Sequence, residues 1–225
     1  MPKGSTAIVS KRGSKSRLSA AWGRLAIGAA ACALASAAHA GGGLFGIDHR
    51  LNADDNGIWK RRNQLVLQDL APLVVFAGAL WEGDGTRFGH ASWQAVDALA
   101  IGGVTAVGLK LAFSRSRPSQ TDDPNRWFQG RGHSSFPSAE VMEITTAVTP
   151  FILEYGAEQP AVYALELLPL YDAVARVKVR GHWQSDVLAS FVIGTAVGAY
   201  AHSRPSSLAV GILPGGFSVG WKKSF

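Results

Sequence analysis

A histidine and a carboxylate in the C-terminal part of the chain have the spacing of a catalytic pair. His182 and Asp186 are four residues apart, so on a helix they would share one face. The carboxylate could then fix which ring nitrogen carries the proton, leaving the other nitrogen free to attack. A histidine held in this way can serve as a covalent nucleophile toward phosphorus, with Asp186 in the orienting role.

Three basic side chains accompany this pair in an order that suits phosphate chemistry. Lys110 and Arg117 are seven residues apart, which is two helical turns, so they would share one face if the segment is helical, and Arg176 precedes His182. Such cations bind the nonbridging oxygens of a phosphoryl group, the arginines through their planar forks. Phosphoryl transfer leaves a protein little covalent work beyond positioning and charge neutralisation. The set therefore predicts a phosphate-handling site.

The segments that hold these residues resemble the type 2 phosphatidic acid phosphatase (PAP2) family, which includes bacterial class A acid phosphatases and vanadium haloperoxidases. The family pattern is Lys, six residues, Arg-Pro; then Pro-Ser-Gly-His; then Ser-Arg, five residues, His, three residues, Asp. The first block is complete over residues 110–118, and the third matches over residues 176–186, with Ala175 in place of serine. The three ordered blocks cover roughly the C-terminal half of the chain.

The resemblance implies a fold, an activity and roles for particular residues. The fold is an all-α bundle of about five or six helices, and the activity is metal-independent hydrolysis of phosphomonoesters or diphosphates, lipid-linked in some members, without a cofactor. His182 would become the phosphohistidine, with Asp186 as its partner. The phosphate cradle would be formed by Lys110, Arg117, Ser138 and Arg176.

The middle block departs from the family at its general acid, the second histidine, which protonates the leaving oxygen. Pro137 and Ser138 are kept, but Ala139-Glu140 replaces Gly-His. A carboxyl group donates a proton near neutral pH only if its pKa is raised, and neighbouring cations lower it, so we expect Glu140 to be ionised and paired with an arginine. Three alternatives follow: a leaving group that needs no proton, as in a diphosphate; proton donation by His133; or impaired turnover in a weakened phosphate-binding relative.

A third functional class shares the anion cradle. The resemblance extends to vanadate-dependent haloperoxidases, although nothing else in the sequence favours that activity. Arg115, which is off the matched spacing, is interpreted as a solvated or peripheral charge.

The first 40 residues have the pattern of a secretory signal peptide. A basic region is followed by an apolar run over residues 25–37 and by Ala38-His39-Ala40, a cleavage site. An N-terminal membrane anchor is the alternative, but the apolar run is short for a span. We therefore expect residues 41–225 to be an exported, periplasmic domain.

The targeting segment also accounts for the basic composition. It holds six of the 22 Lys and Arg residues and none of the 16 Asp and Glu residues, so residues 41–225 carry 16 of each and are formally neutral. Nucleic-acid binding is therefore not expected, and the partner should be a phosphorylated small molecule or lipid. Cys32 also lies in this segment, and a domain without cysteine suits an oxidising compartment.

The elements that must position the site are helices, predicted over about residues 58–81, 93–113, 137–155, 160–176 and 183–202. Ser92 is the predicted cap of the second helix. The third starts at Pro137-Ser138, so that its N-terminal N–H groups would face a bound anion. Residues 114–137 form a long polar loop, and residues 208–225 suggest a hairpin.

The charge-free run over residues 187–201 has 15 residues, which is short for a membrane span. We therefore expect a soluble or membrane-associated domain rather than one that crosses the membrane several times.

Overall fold

The computed structural model describes residues 42–204, and the backbone of residues 208–213 and 216–221. The predicted signal peptide, residues 1–40, lies outside the described residues. The described chain contains five α-helices, which confirms the all-α prediction. They are α1 (Arg61–Glu82), α2 (Arg87–Phe113), α3 (Ala139–Tyr155), α4 (Leu167–Lys178) and α5 (Gln184–Ser203), with short 3-10 helices at Leu44–Gly46, Gly57–Trp59 and Pro160–Glu166.

Two of the predicted helix boundaries are wrong. α2 begins one and a half turns earlier than expected, because Thr86 is its cap and accepts a hydrogen bond from Gly89 N–H at 3.0 Å. Ser92 is instead buried inside the helix, where its hydroxyl donates to the Phe88 carbonyl. The stretch predicted as one helix over residues 160–176 is divided into a 3-10 helix and α4.

α3 is the central helix, and most of its side chains are buried. Glycines on both neighbouring helices allow its close approach. A Cβ at Gly198 of α5 would lie 2.5 Å from the Thr149 Cβ, and one at Gly102 of α2 would lie 2.9 Å from the Thr146 Cγ2. The Thr149 hydroxyl donates to the helix's own backbone, so a polar side chain is tolerated there. This packing holds the N-terminus of α3 between the segments that carry the predicted site.

The C-terminal hairpin prediction agrees with the described backbone. Strand β1 (Leu208–Leu213) pairs antiparallel with β2 (Gly216–Trp221), with Leu208 opposite Trp221 and Leu213 opposite Gly216.

Two helices, α1 and α2, are long and apolar enough to cross a membrane, judged by length and composition alone. Their most apolar windows have mean hydropathies of 1.5 and 1.6, with only 17% and 28% of the window buried. The charge-free runs in the sequence did not indicate these two helices, because single charged residues interrupt each run while the mean hydropathy of the helix stays high. The large apolar side chains exposed on α1 are Leu65, Val66, Leu70, Leu73, Val74, Phe76, Leu80 and Trp81.

Candidate active site

His182 lies in the turn between α4 and α5, and its imidazole is 2% exposed. Its Nδ1 is 2.6 Å from the carbonyl oxygen of Ser135. Since a carbonyl oxygen only accepts hydrogen bonds, Nδ1 carries the proton and donates it, and Nε2 keeps its lone pair. The backbone of the 134–137 segment thus selects the tautomer that a histidine nucleophile needs.

Asp186 supports this arrangement without bonding to His182. Its Oδ2 is 3.8 Å from Nδ1, too long for a hydrogen bond. The carboxylate instead accepts hydrogen bonds from the Ser135 hydroxyl and from Trp183 N–H. The expected contact across a helix face does not form because α5 begins at Gln184, after the histidine. Asp186 therefore holds Ser135, whose carbonyl in turn holds the imidazole.

Both members of the pair have shifted pKa values. Burial is the main reason that the pKa of His182 is lowered to about 4; Asp186 opposes this shift, and the charges of Arg176 and Lys110 add to it. Burial acts to raise the pKa of Asp186, but its interactions with His182 and Arg115 outweigh burial and hold the pKa below its ordinary value. At neutral pH the site therefore contains a neutral imidazole beside a carboxylate.

Arg115 is central to the site, and its interpretation as a solvated or peripheral charge is wrong. It is 0% exposed. Its Nη1 donates to Asp186 Oδ1 at 2.6 Å and to the Ser185 hydroxyl at 2.8 Å, and its Nη2 donates to Asp48 Oδ2 at 2.6 Å. The guanidinium also lies 4.2 Å from the centroid of the Trp127 ring. A buried Asp48–Arg115–Asp186 network thus holds the Asp186 carboxylate in place, and no sequence spacing indicated it.

Lys110 and Arg117 contact the segment that carries Ser135. The Lys110 Nζ donates to the carbonyls of Ser134 and Pro137 at 2.6 and 2.7 Å, and Arg117 Nη2 is 3.3 Å from the Ser134 hydroxyl. Burial, aided by the charge of Arg117, lowers the pKa of Lys110 to about 8, so the ammonium is still largely protonated at pH 7. Because an ammonium has three N–H donors, Lys110 can hold this segment and still offer one donor to an anion.

Two buried polar groups of the predicted cradle have no hydrogen-bond partner among the described residues: the Ser138 hydroxyl and Arg176 Nε. Ser138 is the N-cap residue of α3, yet its side chain makes no capping hydrogen bond. Arg176 packs against Gly181, where a Cβ would lie 2.4 Å from Nη2. Buried polar groups are normally satisfied, so unpaired donors here indicate a place for an oxyanion at the N-terminus of a 17-residue helix.

Glu140 forms an ion pair with Arg61, an arginine that the sequence did not single out as its partner. Arg61, at the start of α1, binds both of its oxygens, and Arg176 Nη2 is 3.7 Å from Oε1. Gln64 Oε1 accepts from Arg61 Nη1 at 3.1 Å and from Arg176 Nη1 at 3.0 Å. Burial acts to raise the pKa of Glu140, but the hydrogen bonds from Arg61 and the charge of Arg176 hold it below its ordinary value.

His133, the alternative acid, lies in the loop before this segment. Its Nδ1 is 2.9 Å from the Ser116 hydroxyl, and the Ser116 carbonyl accepts from Trp183 Nε1. The histidine is therefore connected to the residue that follows His182 through Ser116, rather than to the cradle.

Two further carboxyl groups lie behind the cradle. Asp172, one turn before Arg176 on α4, is 0% exposed, and neither carboxylate oxygen has a hydrogen-bond partner among the described residues. Burial, with the charge of Glu140, raises the pKa of Asp172 to about 7, and burial raises the pKa of Glu143 to about 7 as well. The charge behind Arg176 therefore changes near neutral pH.

We expect Asp172→Asn to reduce the pH dependence of stability. In the folded chain Asp172 keeps its proton up to about pH 7, whereas the ordinary pKa of 3.8 applies after unfolding. Folding therefore loses stability as the pH rises through this window, by about 2 kcal/mol between pH 5 and pH 7. Urea unfolding at pH 5 and pH 8 should show a correspondingly smaller difference for the variant. An unchanged difference would mean that Asp172 titrates normally.

The structure thus brings His182, Asp186, Lys110, Arg117, Ser138, Arg176 and Glu140 to one end of α3. The residues that sequence reasoning missed are Arg61, Gln64, Asp48, Ser135 and the role of Arg115. Among the described residues, no group of three or more His, Cys, Asp or Glu side chains is arranged to hold a metal ion.

Comparisons with known proteins agree with the three sequence blocks. A family model described as "PAP2 superfamily" matches residues 91–207, which is more than half of the chain. The matched region runs from the first turns of α2 to just beyond α5 and includes all three blocks. No curated protein and no solved structure matches the chain.

Proposed function

The chain belongs to the PAP2 superfamily, whose members are generally phosphatases, and on this basis we propose that it is a metal-independent phosphatase acting through a phosphohistidine at His182. Its substrates are phosphomonoesters or diphosphates. Two observations carry the proposal. The buried imidazole of His182 is neutral and donates from Nδ1 to the Ser135 carbonyl, and two buried donors of the cradle, on Ser138 and Arg176, lack partners in the described structure.

Substrate binding uses the cradle. The phosphoryl oxygens accept hydrogen bonds from the Ser138 hydroxyl and Arg176 Nε, which lack other partners in the described structure, and from the N-terminus of α3. Lys110 and Arg117 add positive charge around the same group. These contacts also stabilise the charge on the oxygens during transfer, which is the larger part of catalysis in phosphoryl transfer.

In the first chemical step the Nε2 lone pair forms a bond to phosphorus while the bond to the leaving oxygen breaks, and its electron pair stays on that oxygen. The ring, protonated on Nδ1, then carries a positive charge, which Asp186 stabilises from 3.8 Å. In the second step water attacks phosphorus, the nitrogen–phosphorus bond breaks, and its electron pair returns to Nε2. Phosphate leaves with the oxygen of that water, and the proton goes to solvent.

A phosphate-release assay with EDTA present tests this function. We expect phosphate release from p-nitrophenyl phosphate or a diphosphate at a rate that EDTA does not reduce, because side chains and a helix terminus supply the positive charge. Activity that appears only after a divalent cation is added would contradict the mechanism. Release from none of a panel of monoesters and diphosphates would favour the alternative of a weakened phosphate-binding relative.

The cellular location is part of the same proposal. Two apolar helices are compatible with membrane association, and the N-terminal pattern supports export to the periplasm. We expect the processed protein, beginning after residue 40, to fractionate with membranes and to be released by detergent. A variant with glutamine at three exposed positions of α1, Leu73, Leu80 and Trp81, should be recovered in larger part in the soluble fraction. Recovery of the unmodified chain in the soluble cytoplasmic fraction would contradict the assignment.

A further inference from the structure

The Arg61–Glu140 pair lies outside the region that the family model matches. Arg61 and Gln64 belong to α1, whereas the match begins at residue 91. Their contacts nevertheless extend directly into the cradle, since Gln64 Oε1 accepts hydrogen bonds from both Arg61 and Arg176. α1 therefore adds a cation to a site whose other cations come from α2, α4 and the loop that follows α2.

The exposure of these side chains shows which part of the site faces solvent. His182 and Arg176 are almost completely buried, the Glu140 side chain is 12% exposed, and the Arg61 side chain is 35% exposed. The series leads from the nucleophile to solvent, so Arg61 stands on the outer side. Arg61 also binds the side chain at position 140, where the family's histidine would protonate the leaving oxygen.

The chemistry at position 140 differs from proton donation. In the family the residue at position 140 is a histidine that protonates the leaving oxygen, whereas here it is a carboxylate paired through both oxygens with a guanidinium. The described contacts use three of the five N–H donors of Arg61, so the guanidinium can still bind another anion. The outer side of the site therefore offers a guanidinium with unused donors, held by a carboxylate, where a proton donor is expected.

We propose that Arg61 forms a second phosphate subsite and that the preferred substrates are diphosphates, an inference that rests on the proposed function. Nε2 of His182 attacks the terminal phosphorus, and the bond to the bridging oxygen breaks. The electron pair remains on that oxygen, which becomes a nonbridging oxygen of the departing monophosphate and needs no proton. Arg61 neutralises the charge of this leaving phosphate, while Glu140 and Gln64 hold the guanidinium in position.

The test uses substrates that share one tail: isopentenyl diphosphate, whose leaving group is a phosphate, and isopentenyl monophosphate, whose leaving group is an alkoxide. We expect kcat/KM for the diphosphate to exceed that for the monophosphate by at least about 100-fold. Arg61→Gln should reduce this ratio by about 30- to 100-fold, the effect of losing one charged hydrogen-bonding partner. Arg61→Lys, which keeps the charge, should restore part of it.

Two control variants separate the subsite from structural effects. Arg62→Gln removes the neighbouring, exposed arginine and should leave both rates unchanged. Arg61→Gln combined with Glu140→Gln removes the carboxylate that the single variant leaves unpaired, and the ratio should stay low. If the ratio recovers in the double variant, the unpaired carboxylate explains the loss and the subsite is excluded.

Failure of the subsite is distinguishable from failure of the function. Hydrolysis of p-nitrophenyl phosphate that depends on His182, without preference for the diphosphate or with equal losses on both isopentenyl substrates in Arg61→Gln, overturns the subsite and leaves the phosphatase intact. Absence of hydrolysis of p-nitrophenyl phosphate and of both isopentenyl substrates overturns the phosphatase proposal itself.

Discussion

His182→Asn is expected to lower phosphate release by at least about 10⁴-fold while the chain stays folded. Asparagine removes Nε2, the atom that bonds to phosphorus, but its amide nitrogen can still donate to the Ser135 carbonyl. Alanine is a less informative replacement, because a fully buried ring would leave a cavity and an unsatisfied carbonyl. Initial rates with p-nitrophenyl phosphate, together with thermal unfolding of both proteins, measure the two effects separately.

The matched control for this variant is His49→Asn. His49 is exposed, and its Nδ1 also lies near a backbone carbonyl, that of Ile47, at 3.2 Å. The same chemical change there should leave the rate unaltered. More than a tenth of the wild-type rate in His182→Asn would exclude this residue as the nucleophile.

Among the substitutions proposed for this chain, Arg115→Met is expected to cause the largest loss of stability. We expect it to lower the free energy of unfolding by about 3–5 kcal/mol. Methionine fills much of the same volume, but Asp48 and Asp186 would both remain buried without their cation. Breaking a buried ion pair costs more than the pair itself contributes, because the remaining charges stay desolvated. Guanidinium unfolding at pH 7 measures the difference.

Two comparisons identify the cause of that loss. Adding Asp48→Asn to Arg115→Met removes one of the two uncompensated charges and should recover part of the stability. Arg126→Met, at an exposed arginine in the same loop, should change it by less than about 0.5 kcal/mol. A loss below about 1 kcal/mol in Arg115→Met would show that the network does not support the fold.

The sequence predicted the parts of the site that are encoded by local spacing. The spacing of Lys110 and Arg117, with six residues between them, and that of the segment from Arg176 to Asp186 are properties of short stretches. Each stretch lies at the cradle in the structure, although α2 ends at Phe113 and Arg117 therefore lies in the loop that follows it. The approximate helices followed from apolar periodicity for the same reason. The helix ends were predicted less accurately, because Thr86 and Ser92 are both suitable caps and only packing decides between them.

What the sequence did not predict depends on contacts between distant segments. Arg61 reaches Glu140 across 79 positions, and Asp48 reaches Arg115 across 67. No periodic pattern relates such residues, and an arginine beside an Arg-Pro motif looks like a surface charge until its burial is known. The carbonyl of Ser135 was also missed. Every residue has a backbone carbonyl, so the residue type does not indicate which one binds a side chain.

These missed residues change the chemistry that the family pattern suggests. Asp186 binds Ser135, whose carbonyl binds His182, and Arg115 pairs with the buried Asp186 carboxylate. Glu140 is paired with Arg61 and its pKa is lowered, which does not suit a proton donor. This is the basis on which we propose substrates whose leaving group carries negative charge without needing a proton.

Trapping the covalent intermediate tests the central claim most directly. The enzyme is mixed with substrate labelled with ³²P in the transferred phosphoryl group, quenched in alkali, where phosphohistidine persists, and digested for mass spectrometry. We predict alkali-stable, acid-labile label on the peptide that contains His182, and none in His182→Asn. Turnover of the labelled substrate without any label on that peptide, or with equal label in the variant, would contradict the account.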